Sequence, residues 1–251
     1  MEYDKFGINE DGIKRIEGFY HHRDYGSTTF VKSSFLKEWA DKHIGEDVGV
    51  VFDIGSFEGG DSLRFSSWYP NAIIYSFEAS PFNFNFMNEK LRGLRSNIKT
   101  FNNIISDING ERELKQVGYP AIAVGMSPDN PEYLVMGSIF RFTEEKKAHH
   151  GLKNMDTVVV QSITCDTFCK EHGITNIDIA HIDVEAAGIE VVSGMVDVLP
   201  KMIFIEKERQ WAFADKKTDD PEMIALLNSK GYEMKVELGN DFLFVLKNIQ
   251  S

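Results

Sequence analysis

Three short runs of successive apolar residues, each closed by a turn, fall within about sixty residues of this chain. They are VGVVFDIG from Val48 to Gly55, NAIIYSFEAS from Asn71 to Ser80, and IKTFNNIISD from Ile98 to Asp107. A strand with one wet face alternates apolar and polar residues. A run that is apolar at successive positions is buried on both faces, as a parallel sheet between helices requires. SFEGGDSLRFSSWY after the first run, and the segment from Pro81 to Arg95 after the second, read as helices. Strand, helix, strand, helix, strand is the signature of a parallel α/β sheet.

The pattern resumes further along. TVVVQSI from Thr157 reads as a strand, and CDTFCKEHGI as a short helix closed by Gly173. IDIAHIDVEA and KMIFIEKE read as strands, with AGIEVVSGMVDVLP as the helix between them. PEMIALLNSKGY is a helix stopped by Gly231, and YEMKVELGNDFLFVLK a hairpin turning at Gly239-Asn240. Upstream, Ser33–Ile44 reads as a helix, with Phe35, Leu36, Trp39, Ala40 and His43 on one side. Residues 110–160 hold Pro120, Pro128 and Pro131 and read as an irregular insertion with short strands such as YLVMGSIFRF. The expectation is a Rossmann-like α/β fold, its mostly parallel sheet ending in a C-terminal antiparallel hairpin. A single domain is expected over 1–251: a helical, substrate-facing segment at 1–47, then a core at 48–251 carrying the insertion.

Charge and composition narrow the function classes. The formal net charge is −12, which does not attract a nucleic-acid backbone. The basic cluster Lys146, Lys147, His149 and His150 follows two acids, Glu144 and Glu145. No apolar run approaches the roughly 18–20 residues of a membrane span. The first residues lack the basic-then-apolar pattern of a secretory signal. Two cysteines, Cys165 and Cys169, do not make a disulfide framework. A cytoplasmic protein acting on a small molecule or glycan is expected, with no nucleic acid and no membrane span; homo-oligomers remain open.

The residues that could carry chemistry sit at strand ends, where open α/β sheets bind ligands. DIGSFEGG leaves a strand and enters a helix. Gly55 and Gly59 admit positive φ and close backbone approach, and the segment is equally able to be an ordinary βα turn. A dinucleotide loop would read G-x-G-x-x-G. Here Asp53 stands two residues before the first glycine, where it would repel pyrophosphate but suit the sulfonium and ammonium of S-adenosylmethionine. About 20 residues on, Glu78 ends the next strand, where a carboxylate can accept both hydroxyls of a ribose. Ser106 and Asp107 end the third run; they could meet an adenine amine, or simply open a turn. Asp183 and Glu185 close a later strand on which His181 and Asp183 share a face, and Glu206 closes the next. Acids at Asp53, Glu78, Asp183 and Glu206 would line one rim. Asp183 could orient a hydroxyl, act as a base or hold a divalent cation; His181 could equally be a hydrogen-bonded core residue. The cysteines with His172, and the pairs His21-His22 and His149-His150, lack a recognisable metal spacing, and no metal site is expected.

VFDIGSFEGGDS, IYSFEASP, ITCDTF, IDIAHIDVEAAGIEVVSGM and MIFIE, in this order from about residue 48 to 206, resemble the FkbM-type methyltransferases. The resemblance implies a class I methyltransferase fold, S-adenosylmethionine as donor, and O-methylation of a sugar or other small-molecule hydroxyl. It implies Asp53, Gly55 and Gly59 as the donor loop and Glu78 at the ribose; the neighbouring Ser56, Phe57 and Ala79, with Ser106 and Asp107 at the third strand end, complete the expected donor site. Asp183 and His181 would stand near the acceptor proton, supported by Glu185 and Glu206. This chain departs from the family, which commonly has lysine at His181, glycine at Ala186 and an acid at Gly188. Two rivals follow: a protein that binds the donor without transferring its methyl, and a nicotinamide-dependent oxidoreductase, which lacks its glycine pattern here.

Overall fold

A computed structural model of the chain describes residues 33–119, 134–151, 153–154, 156–208, 210–238 and 241–247. The N-terminal 32 residues, the prolines of the insertion and the Gly239-Asn240 turn lie outside them. Helix α1 (Ser33–Ile44) precedes strand β1 (Val50–Ile54), helix α2 (Gly60–Trp68), β2 (Ile73–Phe77), α3 (Pro81–Leu91) and β3 (Ile98–Phe101). Then come β4 (Ile104–Ile105), β5 (Gly110–Tyr119), β6 (Leu134–Ser138), α4 (Glu144–His150), β7 (Lys153–Asn154) and β8 (Val158–Ile163). The chain continues through α5 (Cys165–His172), β9 (Ile179–Ile182), α6 (Gly188–Ser193), β10 (Met202–Glu206), α7 (Asp220–Ser229), β11 (Tyr232–Leu238) and β12 (Asp241–Leu246).

Seven strands form one sheet in the order β11-β12-β10-β9-β1-β2-β3. β1, β2, β3, β9 and β10 run parallel, and β12 runs antiparallel to both β10 and β11. This is the mostly parallel sheet with a terminal antiparallel pair that the apolar runs predict. Strand alternation sends successive residues of β1 to opposite layers. Phe52 and Ile54 pack with Cys165 and Phe168 of α5, Val191 and Val192 of α6, and Met223 and Leu227 of α7. Val51 packs with Leu36 and Ala40 of α1 and with Phe65 of α2. Phe168 wedges between Phe77 and Phe101, ring centroids 4.7 and 4.8 Å away. Burying each such side chain contributes about 1.5–3 kcal/mol.

Three sequence expectations change. The run IKTFNNIISD is not one strand: β3 stays in the main sheet, and after Asn102 and Asn103 the chain leaves it as β4. Asn102 causes the break by donating to the carbonyls of Glu78 and Ala79, at 2.8 and 2.9 Å. The described part of the insertion is not irregular either. It builds a second sheet, β4-β8-β5-β6, with β7 also paired to β5. Helix α6 is also shorter than its sequence suggests. It ends in a turn at Gly194, where a Cβ would sit 2.1 Å from the Ser106 carbonyl oxygen, so that only glycine fits. The Asp166 carboxylate accepts the N–H groups of Val196, Asp197 and Val198 and secures that turn.

Candidate donor and acceptor pocket

A cavity opens at the carboxyl ends of β1, β2 and β9, roofed by the second sheet. Gly55–Glu58 line it from the β1 loop, Glu78 and Ala79 from the end of β2, and Asp183–Glu185 with Ala187 from the end of β9. Asn103, Ile104, Ile105, Leu114 and Met136–Ile139 form the opposite wall. Among the described residues, five carboxylates line this space, those of Glu58, Asp61, Glu78, Asp183 and Glu185, and no lysine, arginine or histidine does.

Gly55 lets the cavity form. Its φ is +87°, and an added Cβ would lie 1.8 Å from the Asp183 carbonyl oxygen. The β1 and β9 loops therefore touch backbone to backbone, held by Asp183 N–H donating to the Ile54 carbonyl at 2.9 Å. Gly59 also has positive φ, but a Cβ there would meet Leu91 and Met87 of α3, so this glycine serves helix packing and does not line the cavity.

Glu78 is 7% exposed and is oriented by backbone donors, Phe57 N–H at 2.7 Å and Ser80 N–H at 2.8 Å. Burial pushes its carboxyl up to about 7, and those two N–H bonds only partly counter it. Ser80 is itself held by Gln116 of the second sheet, Nε2 to Oγ 2.7 Å.

Asp53 and His181 meet away from the cavity. Registered on β1 and β9, they face the α1 and α2 layer, as Val51 and Ile179 do. Asp53 is fully buried, and its Oδ1 lies 2.9 Å from His181 Nδ1. Ser62 Oγ also donates to Asp53, and from it a chain of hydroxyls runs through Ser76 to Ser56. The imidazole stacks on Phe204 at 5.6 Å. Burial alone would lower its pKa. The bond to Asp53 and the charges of Asp61, Asp53 and Asp183 outweigh that and raise it to about 9. His181 thus sits as an imidazolium paired with Asp53, and the structure does not set it beside the cavity as a base.

Other expected site residues also fall elsewhere. Ser106 and Asp107 are engaged by Arg112, at 2.8 Å to Asp107, and do not line the cavity; Asn103–Ile105 stand there instead. The split of the third run is the reason. Glu206 ends β10 opposite Asp241 of β12, outside the cavity lining. Among the described residues, no three His, Cys, Asp or Glu side chains group as a metal site. None of the described helices is long and apolar enough to cross a membrane.

Lys146, which the sequence places in a basic cluster, is 1% exposed. Its Nζ lies 2.6 Å from Glu185 Oε2 and over the rings of Phe213 and Phe142, at 4.9 and 5.7 Å. Ser138 Oγ donates to the Glu185 carbonyl at 2.7 Å. The second sheet thus grips the turn after β9. Glu185 and Ala186 both adopt positive φ, 51° and 69°, a conformation that costs a non-glycine residue roughly 1–2 kcal/mol. Ala186→Gly is expected to raise Tm by roughly 2–3 °C, corresponding to about 1 kcal/mol. An unchanged or lower melting temperature would show that the turn is unstrained.

Fold and site define an α/β protein with a ligand cavity at a parallel sheet's carboxyl edge, lined by acids, with a carboxylate poised one strand from a glycine turn. The family model described as "Methyltransferase FkbM domain" matches residues 53–234, and the chain belongs to the FkbM methyltransferase family. The chain is 28% identical over 159 residues to the 2-O-methyltransferase NoeI of Sinorhizobium fredii; the match spans 63% of this chain and 62% of that protein's length. Among solved structures, precorrin-6y C5,15-methyltransferase from Geobacter metallireducens is 13% identical, covering 97% of each chain with a TM-score of 0.44. A putative caffeoyl-CoA O-methyltransferase from Staphylococcus aureus is 8% identical, covering 93% of this chain and 91% of that one, with a TM-score of 0.45.

Proposed function

We propose that the chain transfers a methyl group from S-adenosylmethionine to a hydroxyl oxygen of a sugar or other small molecule. The observation that carries this reading is Glu78, held by the Phe57 and Ser80 N–H groups at the end of β2. Among the described residues, the cavity around it is lined by five carboxylates and no cationic side chain, although Glu58, Asp61 and Glu185 are paired with Lys90, Arg64 and Lys146. The donor bears a sulfonium and an ammonium against one carboxylate, so its net charge is positive. A nicotinamide dinucleotide would bring its pyrophosphate into the same acids, so that rival is disfavoured. In this reading Glu78 receives the ribose hydroxyls, with Ile104, Ile105 and Leu114 as the apolar slot for the base and Asn103 at its polar edge. Asp61 and Asp183 face the cationic end. When bound, the donor supplies an electrophilic methyl group. The chain's own work is to align a hydroxyl and take up its proton. Asp183 and Glu185, both on the cavity wall, are the groups assigned to that hydroxyl, and the Asp53–His181 pair supports the loop from beneath.

Calorimetry with S-adenosylmethionine tests the donor assignment. Wild type is expected to bind, and Glu78→Gln to bind about 30-fold more weakly, corresponding to about 2 kcal/mol for hydrogen bonds to a charged group. Because the free Glu78 carboxyl titrates near 7, wild-type affinity should fall as pH drops from 8 to 6, and Glu78→Gln should lose that slope. Equal binding by both proteins at every pH would remove Glu78 from the site. Methyl transfer to a panel of hydroxyl compounds, read with labelled donor, then separates an active enzyme from a protein that only binds the donor.

A further inference from the structure

We propose that a second cavity, on the second sheet, binds an anionic group, a carboxylate or sulfate carried by the methyl acceptor. Its walls are Lys115 and Val117 of β5 and the segment from Arg141 through Phe142 to Lys147, with Thr157 and Ala214 at its edges. Three cations and one acid, Glu144, stand around it. The charge pattern inverts that of the donor cavity in a chain whose formal net charge is −12. Such a chain repels anions at long range, so an anion can be held only where cations are gathered locally.

The acids that meet these cations do not fill the space. Lys115 pairs with Glu113 at 3.2 Å and Arg141 with Asp215 at 3.2 Å. Both carboxylates lie outside the lining, with side chains 64% and 39% exposed. Solvent screening makes exposed pairs of this kind weak, so a ligand can displace them at little cost. Arg141 reaches Asp215 through Nε. A guanidinium's terminal amino groups form a fork that suits a planar or tetrahedral anion. Glu144 is bound to Lys147 and its side chain is 90% exposed. The floor is apolar: Val117 and Phe142 are buried, which suits an organic anion with a carbon body.

Position links this cavity to the first. Val117 and Phe142 belong to one apolar cluster with Ala186, and Phe57 packs against it. The cation cavity therefore lies one layer of side chains from the turn that carries Glu185. That the anion belongs to the acceptor rests on the transfer reading above; that the cavity binds anions does not.

The test is amide NMR titration of the full chain with sodium sulfate and with D-glucuronate, and with D-glucose as the neutral control. Sulfate and glucuronate are the two sources of the anion that the arms distinguish. Saturable shifts at Lys115, Arg141 and Thr157 with either anion, and none with glucose, are expected. Lys115→Gln/Arg141→Gln should weaken the response at least fivefold, and Arg141→Gln alone should weaken it in part. Both variants should keep the wild-type melting temperature and S-adenosylhomocysteine affinity, which separates this result from any failure at Glu78. No saturable response to either anion, an equal response to glucose, or an undiminished response in the double variant would overturn the proposal.

Discussion

Gly55→Ala is expected to lower Tm by roughly 8–16 °C and to weaken donor binding more than 100-fold. The left-handed conformation alone costs an alanine about 1–2 kcal/mol. The larger part comes from contact: the new Cβ would lie 1.8 Å from the Asp183 carbonyl oxygen and 2.7 Å from its carbon. Backbone atoms cannot rotate away as a side chain can. β1 and β9 must part, and the Asp183 N–H bond to Ile54 breaks with them. A total near 4 kcal/mol is at the upper end for one substitution, and about 1 kcal/mol moves Tm by roughly 2–4 °C at this size. Gly93→Ala is the control. Its φ is +75° with nothing within 4 Å of the added atom, so it carries only the conformational cost and a shift of roughly 2–8 °C. Melting followed by circular dichroism, with calorimetry for the donor, separates the two. Similar small shifts for both variants would mean that the loops do not touch as described.

Asp53→Asn is expected to remove about 3–5 kcal/mol at neutral pH, because it leaves a buried imidazolium without its counter-charge. The pH dependence has a defined sign. The folded-state pKa of His181 is raised from 6.5 to about 9. Its stabilisation is therefore fully present below pH 6.5 and is lost as pH rises through 9, and amounts to about 3 kcal/mol across that window. Wild type, measured without donor, should lose stability by about that amount between pH 6.5 and 9. Asp53→Asn should lose much less over the same range, retaining only what Asp61 and Asp183 supply. Denaturant unfolding at pH 6, 7, 8 and 9 gives both curves. Parallel curves would show that the pair is not an ion pair.

Lys146 and His181 show how far sequence reading reaches in this site. From sequence, His181 has two roles open, base or core residue; in the structure its Nδ1 lies against an aspartate 128 positions earlier in the chain. Lys146 carries no local sign of burial, since its neighbours in sequence are charged. Besides Phe142, four residues before it, only the approach of Phe213 and Glu185 from two distant segments encloses it. Ser62 and Ser76, which extend the Asp53 network, have no motif of their own. The phrase D-V-E-A-A could have drawn attention to the left-handed turn, because the resembling family commonly has glycine where Ala186 stands.

The sequence by itself determined the parallel sheet, the glycine turn after β1 and the acid one strand away. These follow from local physics: burial on both faces makes an unbroken apolar run, and a tight turn needs a residue without Cβ. It also determined the family, through the order of those segments. Only the tertiary structure decided which side chains meet. Strand register turned Asp53 and His181 away from the cavity, the Asn102 clamp split the third run, and the insertion folded into a sheet that roofs the site. Contacts of that kind depend on distances between segments far apart in the chain, to which residue type and spacing are blind.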